Sequence, residues 1–364
     1  MHILRAAISL YILLLPNYGS AQELRVLTSF PPDFSSAYTA MWQAREPETE
    51  IRVLNKNTVA AIDDILRGNS RGFDVFWSSS PEAFELLQRN GALAKIDVCG
   101  ASGPQSVAPF ALSSVGWARR ATSTLFMPAN WNDLLRPLYR DKIAMARPAR
   151  SGSTHMLVEQ ILLVRGWEDG WRFLLELSGN LSTLTARSYG VPDKACDFVR
   201  MILSRDGQLA LLAPEISRIP FDADVRAEME AHLPSEVIEA LKLSWLDYNA
   251  RQSSNRYWAV NTLFDIMITD PLVERRNLWR RYHALASKVP SRDLSAAHLL
   301  LTTVPVTEDE ALMASLQQAE DQFSTQTGAS TLARGLVQIW RARVSEQIIL
   351  ADHALLRLEQ QASE

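Results

Sequence analysis

The amino-acid sequence predicts an α/β fold organised on a parallel sheet and followed by a helical C-terminal region. From Leu24 to Gly91, short apolar runs alternate with amphipathic stretches in a β-α-β-α-β-α order, as in strands joined by crossover helices. A second strand-loop-helix passage runs from Lys142 through Trp171. Beyond Asp222 the apolar residues recur at three- and four-residue steps, the period of helices.

The first residues stand apart from this pattern. Arg5 precedes an apolar run from Ala6 to Leu15, and Gly19-Ser20-Ala21 supplies small residues for cleavage. The run is too short to span a membrane comfortably. Residues 1–21 are therefore expected to be a signal peptide, and the protein to be exported and soluble. The formal net charge is −4 with both signs mixed along the chain, which argues against a nucleic-acid partner. Only Cys99 and Cys196 are present, too few for a disulfide framework, and whether they pair is left open by the sequence.

Leu24–Thr28 reads as the first strand and leads into Ser29-Phe30-Pro31-Pro32-Asp33, with a helix to about Arg45. Glu50–Leu54 alternates apolar and polar residues as a second strand, and Asn57 to Gly68 is helical. Phe73–Trp77 is a third strand running into Ser78-Ser79-Ser80, where Pro81 suits the first turn of a helix. In parallel sheets ligands sit beyond the carboxyl ends of the strands, where the Ser29 and Ser78–Ser80 loops lie. Those serines either cap helices or contact an anion; the sequence alone does not separate the two.

Residues 99–109 form a Gly-, Ser- and Pro-rich loop, and Phe110 to Trp117 is expected as a short strand. Lys142–Ala146 is a buried strand, and Ser151-Gly152-Ser153-Thr154 opens an amphipathic helix. A helix start offers unpaired N–H groups and a positive dipole end, so this passage either makes an anion pocket or has Ser153 simply capping the helix, and spacing alone leaves both open. The helices expected after Asp222 include Ser235–Leu241, Arg256–Ile268 and a final hairpin of Asp309–Phe323 and Thr331–Leu358. On the last helix Leu332, Leu336, Ile339, Ile348, Ala351, Leu355 and Leu358 form an apolar stripe that either packs on the body or docks a partner.

The order Ala149-Arg150-Ser151-Gly152-Ser153-Thr154-His155, Gly166-Trp167, Thr185-Ala186-Arg187-Ser188, Gly190-Val191-Pro192-Asp193 and Pro214-Glu215-Ile216 resembles periplasmic solute-binding proteins of ABC importers. The resemblance is to the branch of ferric-ion, phosphonate and sugar-phosphate binders. It implies a two-lobed type II periplasmic binding fold, with a first lobe from 22–108 and 194–220, a reduced second lobe at 109–193, and a helical region at 221–364. It further implies that Ser29, Phe30, Ser78, Ser79, Ser80, Ser151, Gly152, Ser153, Thr154 and Arg187 line a ligand cleft. The sequence departs from that family after Asp193, where much of the second lobe's sheet is missing, together with the adjacent tyrosine pair that holds iron.

No Gly-rich phosphate loop, His-Glu-x-x-His pattern or Cys-x-x-Cys occurs, and no nucleophile-base-orienter set emerges. The expectation is a non-enzymatic protein with no cofactor and no metal. His155, in the first turn of a helix, has a capping or packing role rather than a metal role. Two functions follow: a periplasmic component delivering a small anionic solute to an inner-membrane ABC permease, or a sensory or scaffold protein engaging a periplasmic sensor partner.

Overall fold

The computed structural model describes residues 22–363 apart from 94–106, 113–115, 118, 120–121, 186–188, 191–194, 214–215, 217, 231–247 and 325–330. The expected signal peptide, Cys99, Arg187, the side chain of Cys196 and the helix expected over Ser235–Leu241 lie outside the described residues.

The first lobe is built around β1 (Gln22–Thr28), which pairs in parallel with β2 (Thr49–Lys56) on one side and β3 (Val75–Trp77) on the other. The two-residue strand at Tyr189–Gly190 adds antiparallel to β2, giving the order β3-β1-β2-edge. Alternation in β1 explains why both faces are covered, since successive side chains point to opposite sides. Leu24 and Val26 enter a core with Phe34, Trp42 and Trp77, whereas Leu27 enters another with Ile62, Ile65 and Leu87.

The first of these cores sits under α1 (Pro32–Arg45), and the second under α2 (Thr58–Leu66) and α3 (Pro81–Arg89). Residues far along the chain complete the first core. Phe198, Met201 and Ile202 of α4 (Ala195–Leu203) pack beneath β1, and Trp42 and Trp77 each meet Phe198 edge-on at 5.8 and 5.7 Å. The strand expected over Phe110–Trp117 is confined, among the described residues, to Ala111–Leu112. Its partner, Ile219–Pro220, is itself two residues long, and a proline carries no N–H to extend the ladder.

The second half has its own parallel pair, β4 (Ile143–Ala146) and β5 (Leu181–Thr185). Between them run α5 (Gly152–Arg165) and α6 (Trp167–Ser178), separated by Gly166 at φ +79°, a conformation that costs glycine little. The later helices do not form a detached body. Helix α7 (Ala250–Phe264), a π-helical turn at Asp265–Thr269, α8 (Glu308–Ser324) and α9 (Thr331–Gln361) bury Leu263, Phe264, Met267 and Trp340 in the same core as Trp167, Trp171 and Leu174.

The indole N–H of Trp167 donates to the carbonyl of Val306 at 2.8 Å, tying that core at its rim. Two further helices, Leu272–Leu285 and Ser291–Thr302, pack with the end of α9 through Leu278, Leu294, Leu301 and Leu355. Of the apolar stripe on α9, Ala351, Leu355 and Leu358 are buried, while Ile339 is 48% exposed. No helix among the described residues is long and apolar enough to cross a membrane.

Candidate functional site

The parallel register of β1 and β3 brings the loops that follow them to the same sheet edge. The amide of Ser29 donates to the carbonyl of Trp77 at 3.2 Å, and the Ser29 and Ser78 hydroxyls are 2.8 Å apart. Across from them stands the start of α5. Ser151 caps it by accepting from the Thr154 amide at 3.3 Å and from the Thr154 hydroxyl at 3.1 Å. The two starts meet where the Ser79 and Ser153 hydroxyls are 3.2 Å apart.

This approach depends on Gly152. A Cβ there would lie 2.7 Å from the Cβ of Ser80, closer than two such atoms can pack. Glycine lets the α3 and α5 starts touch, and so forms a lip of small hydroxyl side chains. At the start of α3 Pro81 carries no N–H and the Ala83 amide donates to the Ser80 carbonyl at 3.1 Å, so the helix-start amides next to the lip are those of Gly152 and Ser153 on α5. Each hydroxyl donates one hydrogen bond and accepts two, so the pairs Ser29–Ser78 and Ser79–Ser153 retain capacity for a third group. Such a lip can hold a small anion by replacing hydroxyl–hydroxyl contacts with hydroxyl–anion ones.

A buried polar layer lies behind the lip. Ser80 is fully buried and donates to Glu82 at 2.6 Å, while the Tyr248 hydroxyl donates to the other Glu82 oxygen at 2.9 Å. His155, also fully buried, has Nδ1 3.0 Å from Asn261 Oδ1 and Nε2 3.2 Å from the Ser253 hydroxyl. Its ring packs against Tyr257 at 4.3 Å. One turn on, Glu159 accepts from the Arg256 guanidinium at 2.7 to 3.3 Å, and Arg256 also reaches Glu308.

Burial, opposed by His155 and the hydroxyl donors, pushes the Glu82 carboxyl up from the usual carboxylate range. Burial likewise pushes His155 below the ordinary imidazole value, against the pull of Glu82 and Asn261. Glu159 is pushed up by burial against the attraction of Arg256. The layer thus joins α3, α5 and α7 through polar groups that water does not reach. Among the described residues no cluster of three His, Cys, Asp or Glu could hold a metal ion.

Residues 28–171 match a family model described as bacterial extracellular solute-binding protein. The chain is 28% identical over 365 positions to the phosphoglycerate transport regulatory protein PgtC of Salmonella typhimurium, an alignment covering 82% of this chain and 91% of the relative. The protein of the same name from Salmonella typhi aligns equally. Among solved structures, the periplasmic binding protein AfuA of Actinobacillus pleuropneumoniae with exogenous fructose-6-phosphate bound superposes with a TM-score of 0.51. That match has 12% identity and covers 69% of this chain and 99% of AfuA. The fold is that of a periplasmic binding protein. Its high helical content reflects the C-terminal helices that complete the core around Trp167 and Trp171 and form another around Leu278 and Leu355.

Within this fold the sequence-predicted residues separate into groups. Ser29, Ser78, Ser79, Ser151, Gly152, Ser153 and Thr154 come together at the lip. Ser80 lies just beneath it, its hydroxyl committed to Glu82. Phe30 is 5% exposed and stacks on Phe34 at 4.4 Å within the aromatic core, and its amide donates to the Thr28 hydroxyl while its carbonyl accepts from Asn55, so it belongs to the core rather than to the lip. Sequence reasoning did not find Glu82, Glu159, Tyr248, Ser253 or Arg256. Only the four-residue spacing of His155 and Glu159, which puts both on one helix face, was a local signal.

Proposed function

We propose that the protein is a periplasmic solute-binding protein that recognises a small anionic solute, a phosphorylated one by preference, and reports its presence to a protein partner. The observation that carries the reading is the meeting of the loop before α3 with the start of α5 at the Ser79–Ser153 contact, which sets hydroxyls of both beside the first amides of α5. In this reading the chain falls in the sugar-phosphate branch of the family, with a second lobe shortened to the β4–β5 pair. Ser29, Ser78, Ser79, Ser151, Ser153 and Thr154 hold the anion, with Arg187 a further candidate cation.

The regulatory role is supported by the relatives named as transport regulatory proteins, since that alignment spans 82% of the chain rather than the binding lobes alone. It is supported too by α7, whose Ser253 and Arg256 hold α5 through His155 and Glu159 and whose Ser253 meets Tyr248, the partner of Glu82 on α3. Direct delivery of the solute to an ABC permease is a second reading, favoured because the solute-binding family match covers every described lip residue.

The test is calorimetry of the exported form with 3-phosphoglycerate, inorganic phosphate, a dicarboxylate and glucose. Saturable binding of the phosphorylated compound above the others is expected; preference for glucose, or binding of none, overturns the anion reading. Deleting the gene should abolish solute-dependent induction of an uptake system while sparing uptake by a system already expressed. Loss of that uptake would favour delivery instead.

A further inference from the structure

A cavity of 390 Å³ lies away from the lip, between α2 and α3 of the first lobe and α7 and α8 of the helical region. Interiors pack with few voids larger than a water molecule, whereas small-molecule sites measure about 300–1,000 Å³. This space is of the second kind. Val59, Ile62, Leu86, Trp258 and Leu316 give it an apolar middle. It follows one face of α7, from Ser254 and Asn255 through Trp258 to Asp265, so it extends about 16 Å at a rise of 1.5 Å per residue.

Its two ends differ in charge. At the far end Asp265 is neutralised by two hydrogen bonds from Arg147, at 2.7 and 3.1 Å. At the near end Arg89 donates to the Ser254 hydroxyl at 2.9 Å and to the Asn255 side chain, and no carboxylate pairs with it among the described residues. Asp63, also in the wall, is committed to Arg67. The wall's guanidinium is therefore without an ion pair among the described residues, though Glu85 attracts it and Arg251 adds a second positive charge nearby. An apolar chamber with a guanidinium at one end, held by neutral side chains, suits an amphipathic guest.

We infer that this cavity is a second ligand site, which takes a small monocarboxylic acid with an aromatic or branched apolar body. The body fills the space among Val59, Ile62, Leu86, Trp258 and Leu316, and the carboxylate meets Arg89. The site is independent of the lip, because none of the lip hydroxyls borders it.

Calorimetry of the full exported chain with 4-phenylbutyrate, its primary amide and inorganic phosphate tests the assignment. Saturable one-to-one binding of 4-phenylbutyrate is expected, at least tenfold weaker for the amide and in Arg89→Met. It should be abolished in both Leu316→Trp and Val59→Trp, where the new indole occupies the chamber from positions 44% and 37% exposed. Ser153→Ala should leave it unchanged. Absence of binding by the acid and the amide alike, survival of binding in both tryptophan variants, or equal affinity for acid and amide would each overturn the assignment. Unchanged thermal melting of either tryptophan variant shows that the loss is occupancy of the chamber and not unfolding.

Discussion

At the lip, Ser79 and Ser153 meet through hydroxyls 3.2 Å apart; further along the same helix, Glu159 meets Arg256 with both side chains at most 4% exposed. The first contact is between neutral groups at a water-accessible edge, where a hydrogen bond is exchanged for one to solvent at little net cost. The second is a buried ion pair, and removing one partner strands a charge in a medium that cannot solvate it. The same helix is thus held loosely at its start and firmly in its middle. A ligand can compete for the start; it cannot compete for the middle. In the proposed anion reading, binding would rearrange the lip while α7 keeps α5 in place.

The strongest way to break this contrast is Arg256→Met. It leaves Glu159 buried without its cation, with an expected loss of about 3–5 kcal/mol. Urea unfolding should report it, and Glu159→Gln added to Arg256→Met should recover part of the loss, because no stranded charge remains. Equal stability of wild type and Arg256→Met would show that the middle is no firmer than the lip.

A smaller effect is expected at the joint. Gly152→Ala places a Cβ 2.7 Å from that of Ser80, so the two helix starts must separate; overpacking of this kind costs about 1–3 kcal/mol. Gly335→Ala on α9 is the control, since nothing lies within 4 Å of its added Cβ. There the change should stabilise by up to about 1 kcal/mol through helix propensity. Matching effects at the two glycines would mean that the α3–α5 approach is not tight.

The lip was legible in the sequence and the layer behind it was not, for a physical reason. Alternating apolar residues in Leu24–Thr28 and Phe73–Trp77, with serine and proline following, mark strand ends and helix starts from local chemistry alone. The parallel-sheet rule then places Ser29 beside Ser78, although 49 positions separate them. Nothing local pairs Glu82 with Tyr248 across 166 positions, or Glu159 with Arg256 across 97. Those side chains look like ordinary solvated helix residues until packing buries them. His155 was read as a capping or packing residue, and its burial against Tyr257 agrees with packing; its bonds to Asn261 and Ser253 come from a helix the sequence only outlines. Likewise the helices after Asp222 were readable as helices, but not as the other half of the core that holds Trp167 and Trp171.

Acid sharpens the comparison further. Burial depresses the His155 value, so its neutral form is favoured in the folded state. Its contribution to stability is full above the unfolded value near 6.5 and is lost as pH falls through the depressed folded value. Glu82 acts in the opposite sense: its raised value gives stability that is full below about 4.5 and is lost as pH rises. The difference between wild type and His155→Asn isolates the first effect. From pH 7.5 to 5.5 that difference should shrink by up to about 1.4 kcal/mol, the worth of one pH unit below 6.5. Parallel unfolding curves at the two pH values would place the imidazole in contact with water.

The smallest effect on the fold is expected from Ser153→Ala, for the same reason that the lip suits the binding role proposed for it. The residue loses one hydroxyl contact, to Ser79, while Ser151 continues to cap the helix through Thr154. Stability should change by no more than about 0.5 kcal/mol, as for substitutions away from buried features. Affinity for 3-phosphoglycerate should fall by about tenfold, because a hydrogen bond to a charged group contributes roughly 1.5–3 kcal/mol and the helix-start amides remain to bind the anion. Calorimetry and urea unfolding of the same preparation measure both numbers. A variant that loses stability without losing affinity would reverse the assignment, making Ser153 part of the structural joint and moving the anion to Ser29 and Ser78. One that loses neither would remove the Ser79–Ser153 contact from the proposed site altogether.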